Sequence, residues 1–168
     1  MLQLPSKRLT QTRDVLGLIV FVALCGIVSG MGGLITATSI DSWYHALQKP
    51  VFNPPNWVFP PVWTTLYIFM AVAGWRVWRR AGFDARRKAL AVFGVQLGLN
   101  LAWSFLFFGL QQIGLALVEV VILLLAIIAN TILFWRIDRL AGALFVPYSL
   151  WVAYATMLNA SIFLLNTN

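Results

Sequence analysis

The sequence predicts an all-α fold embedded in a bilayer, an integral membrane bundle of five transmembrane helices. Three observations predict it. Of 168 residues, 61% are hydrophobic and only 10% are charged, whereas a soluble domain keeps about a quarter of its residues charged. The apolar residues gather into five continuous runs of about 20 residues, the length needed to cross the hydrocarbon layer. The basic residues sit in alternate connections, the pattern left by a chain that weaves through a membrane. Strands are excluded, because the runs do not alternate in polarity and five strands cannot close a membrane barrel.

The first span is Val15 to Thr36. Lys7, Arg8 and Arg13 precede it as in a signal peptide, but its apolar stretch exceeds the roughly 7–15 residues of a signal core, so it stays a true span. The second span runs from Pro60 to Trp78, with two prolines in its first turn, where the missing N–H groups are not needed. The third covers Ala89 to Leu110, the fourth Gly114 to Trp135 and the fifth Gly142 to Leu165. Pro147 removes one backbone hydrogen bond inside the fifth and predicts a bend there. The whole chain, 1–168, reads as one membrane domain.

The net charge of +7 reports topology. Eleven of the twelve Lys and Arg fall at the N-terminus, in and beside the 79–88 connection, and around Arg136 and Arg139. Five crossings put those three regions on one side, and only Lys49 lies opposite. The positive-inside rule makes the basic side cytoplasmic if the host is a plasma membrane. The charge then serves lipid headgroups, and no nucleic-acid partner is expected.

The far side carries one long connection, 37–59, which reads as a lid. It ends in "NPPNWVFPPVW", residues 53–63. Pro54 and Pro55 hold the backbone extended, so this collar is stiff at little entropic cost. It leads Trp57 and Phe59 to the membrane interface. Trp63 and Tyr67, four residues apart, share one helix face. Trp43, Trp75, Trp78 and Trp135 lie near span ends and read as an interfacial belt. For Trp57, Trp63 and Tyr67 an aromatic wall for a flat, largely apolar ligand competes with that reading.

Inside the spans, Gln96, Asn100, Trp103 and Phe107 follow at helical spacing along one face of the third helix. Amides are costly in lipid, so this face turns inward. Trp151, Ala155 and Leu158 form a face of the fifth helix, with Tyr148 a turn earlier and Asn159 beside it. Asn100, Asn130 and Asn159 fit either a ligand cavity or hydrogen bonds between helices. Glu119, about one turn from the far-side end, reaches the interface and stays solvated. On the opposite side of the third helix Gly94, Gly98 and Ala102 make a small-residue stripe, the kind of surface on which two chains approach closely, so a homodimer seam is expected there. Gly26 and Gly30 of the first span repeat the spacing and are expected to serve packing within the chain.

Some chemistry is excluded. Cys25 is the only cysteine and sits inside an apolar run, so it reads as inert core. His45 is the only histidine and lies in a loop. No metal spacing, serine triad or phosphate-binding glycine loop is present, so no catalytic residue or metal site is assigned, and hydrolysis and phosphoryl transfer are not expected.

The stretches "WYHALQKPVFNPPNWVFPPVWTTLY" (43–67), "NLAWSFLFF" (100–108) and "VPYSLWVAYATMLNASIFLLN" (146–166) resemble the TspO/MBR family, the tryptophan-rich sensory and translocator proteins also called peripheral benzodiazepine receptors. The resemblance covers essentially the whole chain in order. It implies a five-helix bundle, often dimeric, with a pocket under the first loop that binds protoporphyrin IX or haem as ligand rather than as obligatory cofactor. It also implies a role in tetrapyrrole and stress regulation, in a bacterial membrane that for some relatives is the outer one. Carried over by motif, the ligand-binding residues are Trp57, Phe59, Trp63, Tyr67, Asn100, Trp103, Phe107, Trp151, Ala155 and Leu158. Two positions depart from the pattern. Val51 stands where many members have an aromatic residue, and "LNASIFLLNTN" lacks the Tyr and basic residue of the animal sterol motif. A receptor is the first expectation. A transporter of porphyrin or another lipophile is the second, and an enzyme that degrades porphyrin with light and oxygen the third.

Overall fold

The computed structural model describes residues 5–167, with side chains from Gln11 onward. Lys7 and Arg8, two of the cations used above to orient the first span, lie outside the described side chains, as does Asn168. Helix α1 spans Pro5–Ala37. A short α2 (Trp43–Ala46) and a 3-10 turn (Asn56–Val58) lie in the lid connection. Then come α3 (Phe59–Arg80), α4 (Phe83–Ser104), α5 (Ile113–Ile137) and α6 (Arg139–Asn166). All but α2 are long and apolar enough to cross a membrane, and the protein is a multi-pass membrane bundle.

The sequence-based ends move outward where charge meets water. Helix α4 begins at Phe83 rather than 89, because Asp84, Arg86, Arg87 and Lys88 are helical yet too polar for the hydrocarbon core. At its other end α4 widens into a π-helical turn, Phe105–Gly109, closed by the Leu110 N–H donating to the Phe105 carbonyl at 2.8 Å. Gln111 then takes a left-handed φ of 57° to turn the chain into α5. Helix α6 runs unbroken through Pro147.

Packing neighbours place the long helices in a ring, α1–α3–α6–α5–α4. Between α5 and α6 the connection is Asp138 alone. Its carboxylate caps α6 by accepting from the Leu140 N–H at 3.0 Å, an N-cap whose oxygen satisfies an otherwise orphaned donor. The same carboxylate receives Arg76 Nε at 2.8 Å and Arg80 at 2.9 Å, so it ties the end of α3 to the α5–α6 turn. That turn is tight: a Cβ on Gly142 would stand 2.7 Å from the Trp135 Cα. Arg79 pairs with Asp14 at 2.7 Å, and the Trp75 indole N–H donates to the Asp14 carbonyl.

The half of the bundle near these arginines is solid. Phe93 stacks on Phe134 and Phe145 meets both, all three nearly inaccessible, with Met70, Val77 and Ile127 filling the gaps. The half near the lid is hollow. Among the tryptophans read as a belt, only Trp135 is largely exposed. Trp75 and Trp78 lean on α1, and Trp43 belongs to the lid, edge-on to Phe107. Gly94 and Gly98 face outward into open space, as a seam between chains requires. Gly26 and Gly30 do the same, so the expectation that they pack within the chain fails: nothing lies within 4 Å of a Cβ placed on any of the four.

Candidate functional site

A cavity of about 400 Å³ fills the hollow half, within the range of small-molecule sites. It is walled by α1, α3, α4 with its π turn, and α6, and roofed by the lid. Helix α5 contributes no wall residue and backs α4 and α6 from outside.

The floor is a line of hydrogen bonds between three helices. The Tyr67 hydroxyl on α3 donates to Asn100 Oδ1 on α4. Asn100 Nδ2 donates to the Tyr148 hydroxyl on α6 at 2.9 Å, and Tyr148 donates to Gln96 Oε1 at 3.0 Å. In lipid each of these groups must find a partner inside the protein, and the four supply one another. Asn100, expected to meet a ligand edge, therefore has one amide hydrogen and one carbonyl lone pair left over at most.

The walls are rings. Phe59 meets Trp151 edge-on at 5.8 Å, and Trp63 lies 5.8 Å from Tyr67 and 6.2 Å from Tyr148. On the α4 side Trp103 and Phe107 stack at 5.0 Å with 19° between planes. Trp103 is held by its indole N–H donating to Asn159 Oδ1, while Asn159 Nδ2 donates to the Ile113 carbonyl. Asn159 thus braces a wall and joins α6 to α5. The Trp151 indole N–H differs: it is buried without a hydrogen-bond partner in a residue that lines the cavity. A buried unpaired donor costs about 1–3 kcal/mol, which a ligand acceptor would recover.

The opposite wall has no bulk. Helix α1 supplies Ser29, Gly32, Gly33, Thr36 and Ala37, spaced as one helix face. The hollow exists because this face is too small to fill it.

The roof is fastened to α4 and α6. Ser39 Oγ donates to the Phe108 carbonyl at 2.8 Å. Gln48 and Asn166 exchange two hydrogen bonds, backbone to amide, at 3.0 and 2.9 Å. The Tyr154 hydroxyl donates to the Phe52 carbonyl at 2.7 Å. Tyr44 packs on Phe107 and Phe108 in a second small core. Burial pushes its phenol up, more than the Asn53 bond lowers it, so it stays neutral and donates to Asn53. Lys49 lies 4.8 Å over the Tyr44 ring and donates to the His45 and Leu47 carbonyls.

Nine of the ten expected site residues line this one cavity. Trp57 does not. It is 74% exposed, because the 3-10 turn at 56–58 rotates Asn56 inward in its place. Val51 is wholly exposed, so that departure leaves the wall unchanged. Glu119 also differs from expectation: it is buried, and neither carboxyl oxygen has a hydrogen-bond partner. It lies outside the cavity, as does Asn130, whose amide is fully buried and likewise unpaired. The sequence reading missed Tyr44, Asn56, Ser104 and the α1 face. Only the last had a signal, small residues recurring every three or four positions.

No Asp, Glu, Lys, Arg, His, Cys or Met is among the residues lining the cavity, and no cluster that could hold a metal occurs among the described residues. The arrangement can stack and enclose a flat apolar molecule and offer it a donor. It holds no charged acid or base for group transfer.

Residues 19–165 match the family model described as the TspO/MBR family. The chain is 40% identical to a tryptophan-rich sensory protein of Cereibacter sphaeroides over 88% of its length and 90% of the relative's. It is 37% identical to a tryptophan-rich protein TspO of Archaeoglobus fulgidus, over 91% and 99%. It is 42% identical to the translocator protein of Homo sapiens, over 70% of each chain.

Proposed function

The chain belongs to the TspO/MBR family, and from its cavity we propose that it is a membrane receptor for tetrapyrroles, protoporphyrin IX first and haem second. Family membership and the names of its relatives, sensory and translocator proteins, support a sensor or receptor role. One observation carries the ligand class: a cavity of about 400 Å³ faced with Phe59, Trp63, Trp103, Phe107 and Trp151, with the Trp151 N–H unpaired. A planar macrocycle presents two apolar faces to such rings, each ring pair contributing about 0.5–1.5 kcal/mol beyond burial. Its polar rim supplies acceptors for an indole N–H.

Haem fits as a stacked guest only. Among the lining residues the only oxygens of a type that ligates haem iron in other proteins are those of Tyr44 and Tyr67, and their hydroxyls are engaged with Asn53 and Asn100. Coupled transport is disfavoured by the absence of charged lining residues. Photo-oxidative breakdown would have to draw its reactivity from the bound porphyrin and its neighbouring indoles. Titration of the purified protein with protoporphyrin IX, haem and cholesterol tests the reading. Protoporphyrin IX should saturate at one per chain, haem should bind without a protein-ligated iron spectrum, and cholesterol should displace neither. Absence of saturable binding by either tetrapyrrole would overturn it.

A further inference from the structure

We propose that the ligand enters the cavity sideways from the bilayer, through a doorway between α1 and α3 edged by Gly33 and Thr64, while the lid stays shut. This deepens the receptor reading above and rests on it.

Exposure around the cavity is uneven. The lining residues of α4 and α6 are all buried or half-buried. The exposed ones are Gly33 and Ala37 on α1, Pro60 and Thr64 on α3, and Asn56 at the lid's end. The wall is therefore open along a single seam. That seam changes character along its length. Near the arginines it is closed by aromatics: Trp78 lies 2.5 Å from where a Cβ of Gly17 would stand, and Phe21 2.8 Å from that of Gly74. Towards the lid, Cβ positions on Gly26, Gly30 and Gly33 meet nothing within 4 Å. These three glycines, at spacings of four and three residues, form a shallow lane on the lipid-facing side of α1 that ends at the cavity mouth.

The chemistry of the door frame suits an apolar passenger. The Thr64 hydroxyl donates to the Pro60 carbonyl at 2.8 Å, so the exposed jamb presents no unpaired donor to hydrocarbon, where such a group would be costly. The lid is fastened elsewhere. Its long-range hydrogen bonds, at Ser39, Gln48 and Phe52, go to the π turn or to α6. A ligand leaving through the roof would break these and unpack Tyr44, whereas passage at Gly33 breaks no hydrogen bond.

The test measures uptake of protoporphyrin IX from lipid vesicles by stopped-flow absorbance of protein in nanodiscs. Gly33→Leu fills the doorway and should slow both association and release, association at least tenfold. Thr64→Trp, from the opposite jamb, should do the same. Separately, Gln48→Cys and Asn166→Cys in a Cys25→Ala background, joined by a short bis-methanethiosulfonate cross-linker, lock the lid and should leave the association rate within twofold. A locked lid that stops uptake overturns the proposal. So does Gly33→Leu binding at the wild-type rate, or weakening Kd without slowing association. If the unmodified protein takes up no porphyrin, the ligand reading fails before any variant is made.

Discussion

Asn100 joins three helices in the cavity floor, and its replacement can be reasoned through group by group. Asn100→Leu keeps the branched side-chain outline and removes two hydrogen bonds, one from Tyr67 and one to Tyr148. The two phenols do not suffer equally. Tyr148 still donates to Gln96, so it loses only an acceptor role. Tyr67 loses the partner of its only donor and is 8% exposed, which in a protein interior costs about 1–3 kcal/mol. Hydrogen bonds in membrane bundles average a smaller net value, about 0.6 and at most 1.7 kcal/mol, and the cavity lets water reach the phenol. The expected destabilisation is therefore about 1–2 kcal/mol. Tyr67→Phe should cost less, about 0.6 kcal/mol, the mean value of such a bond. Combining them removes donor and acceptor together, and paired removal is close to neutral. The double variant should then be more stable than the sum of the singles by about 0.6–1.5 kcal/mol. Equilibrium unfolding in mixed micelles of all four proteins measures this coupling. A coupling of zero would refute the floor network as a source of stability.

Three further outcomes follow from the same geometry. At Asp138 burial raises the carboxyl's proton affinity, but the Arg76 bond, the Leu140 N–H and the charges of Arg76 and Arg80 outweigh it and hold the group below the usual range. Its contribution is complete above the unfolded value near 3.9 and is lost as pH falls through the lower folded value. Tm scanned from pH 7 to 2.5 should drop at the acid end, and Asp138→Asn should flatten that drop while losing about 1–3 kcal/mol at neutral pH. Gly142→Ala forces a methyl against the Trp135 backbone; an overpacked site costs about 1–3 kcal/mol, readable as a lower Tm. On α4, Gly98→Leu should convert a homodimer to monomer in cross-linking experiments if the open stripe of Gly94 and Gly98 is the seam, with porphyrin affinity unchanged.

The five spans were legible because lipid imposes a rule each helix obeys alone: length, apolarity and flanking charge. The inward faces of α4 and α6 were legible for a similar reason, since an amide or indole at helical spacing must avoid lipid. What escaped depends on partners distant in sequence. Nothing near Gln48 announces that Asn166, 118 positions away, will hold the lid. The direction of Trp57 depends on how the 3-10 turn at 56–58 rotates the chain between two proline pairs, and composition is blind to that rotation. The α1 wall went unread because it acts by lacking side chains. Glu119 was misplaced because a carboxylate near a helix end is ordinarily free to reach water, whereas here it is buried.

The central claim is that the rings on α3 and α6 hold a planar guest. Its most direct test is the Kd of protoporphyrin IX, read from the porphyrin absorption band, for the unmodified protein, for Trp57→Ala and for Trp63→Ala with Trp151→Ala. Two ring contacts at about 0.5–1.5 kcal/mol each predict a 5- to 150-fold weakening for the double variant, at about 1.4 kcal/mol per decade, and no change for Trp57→Ala. Unchanged affinity in the double variant, or a loss confined to Trp57→Ala, would contradict the account.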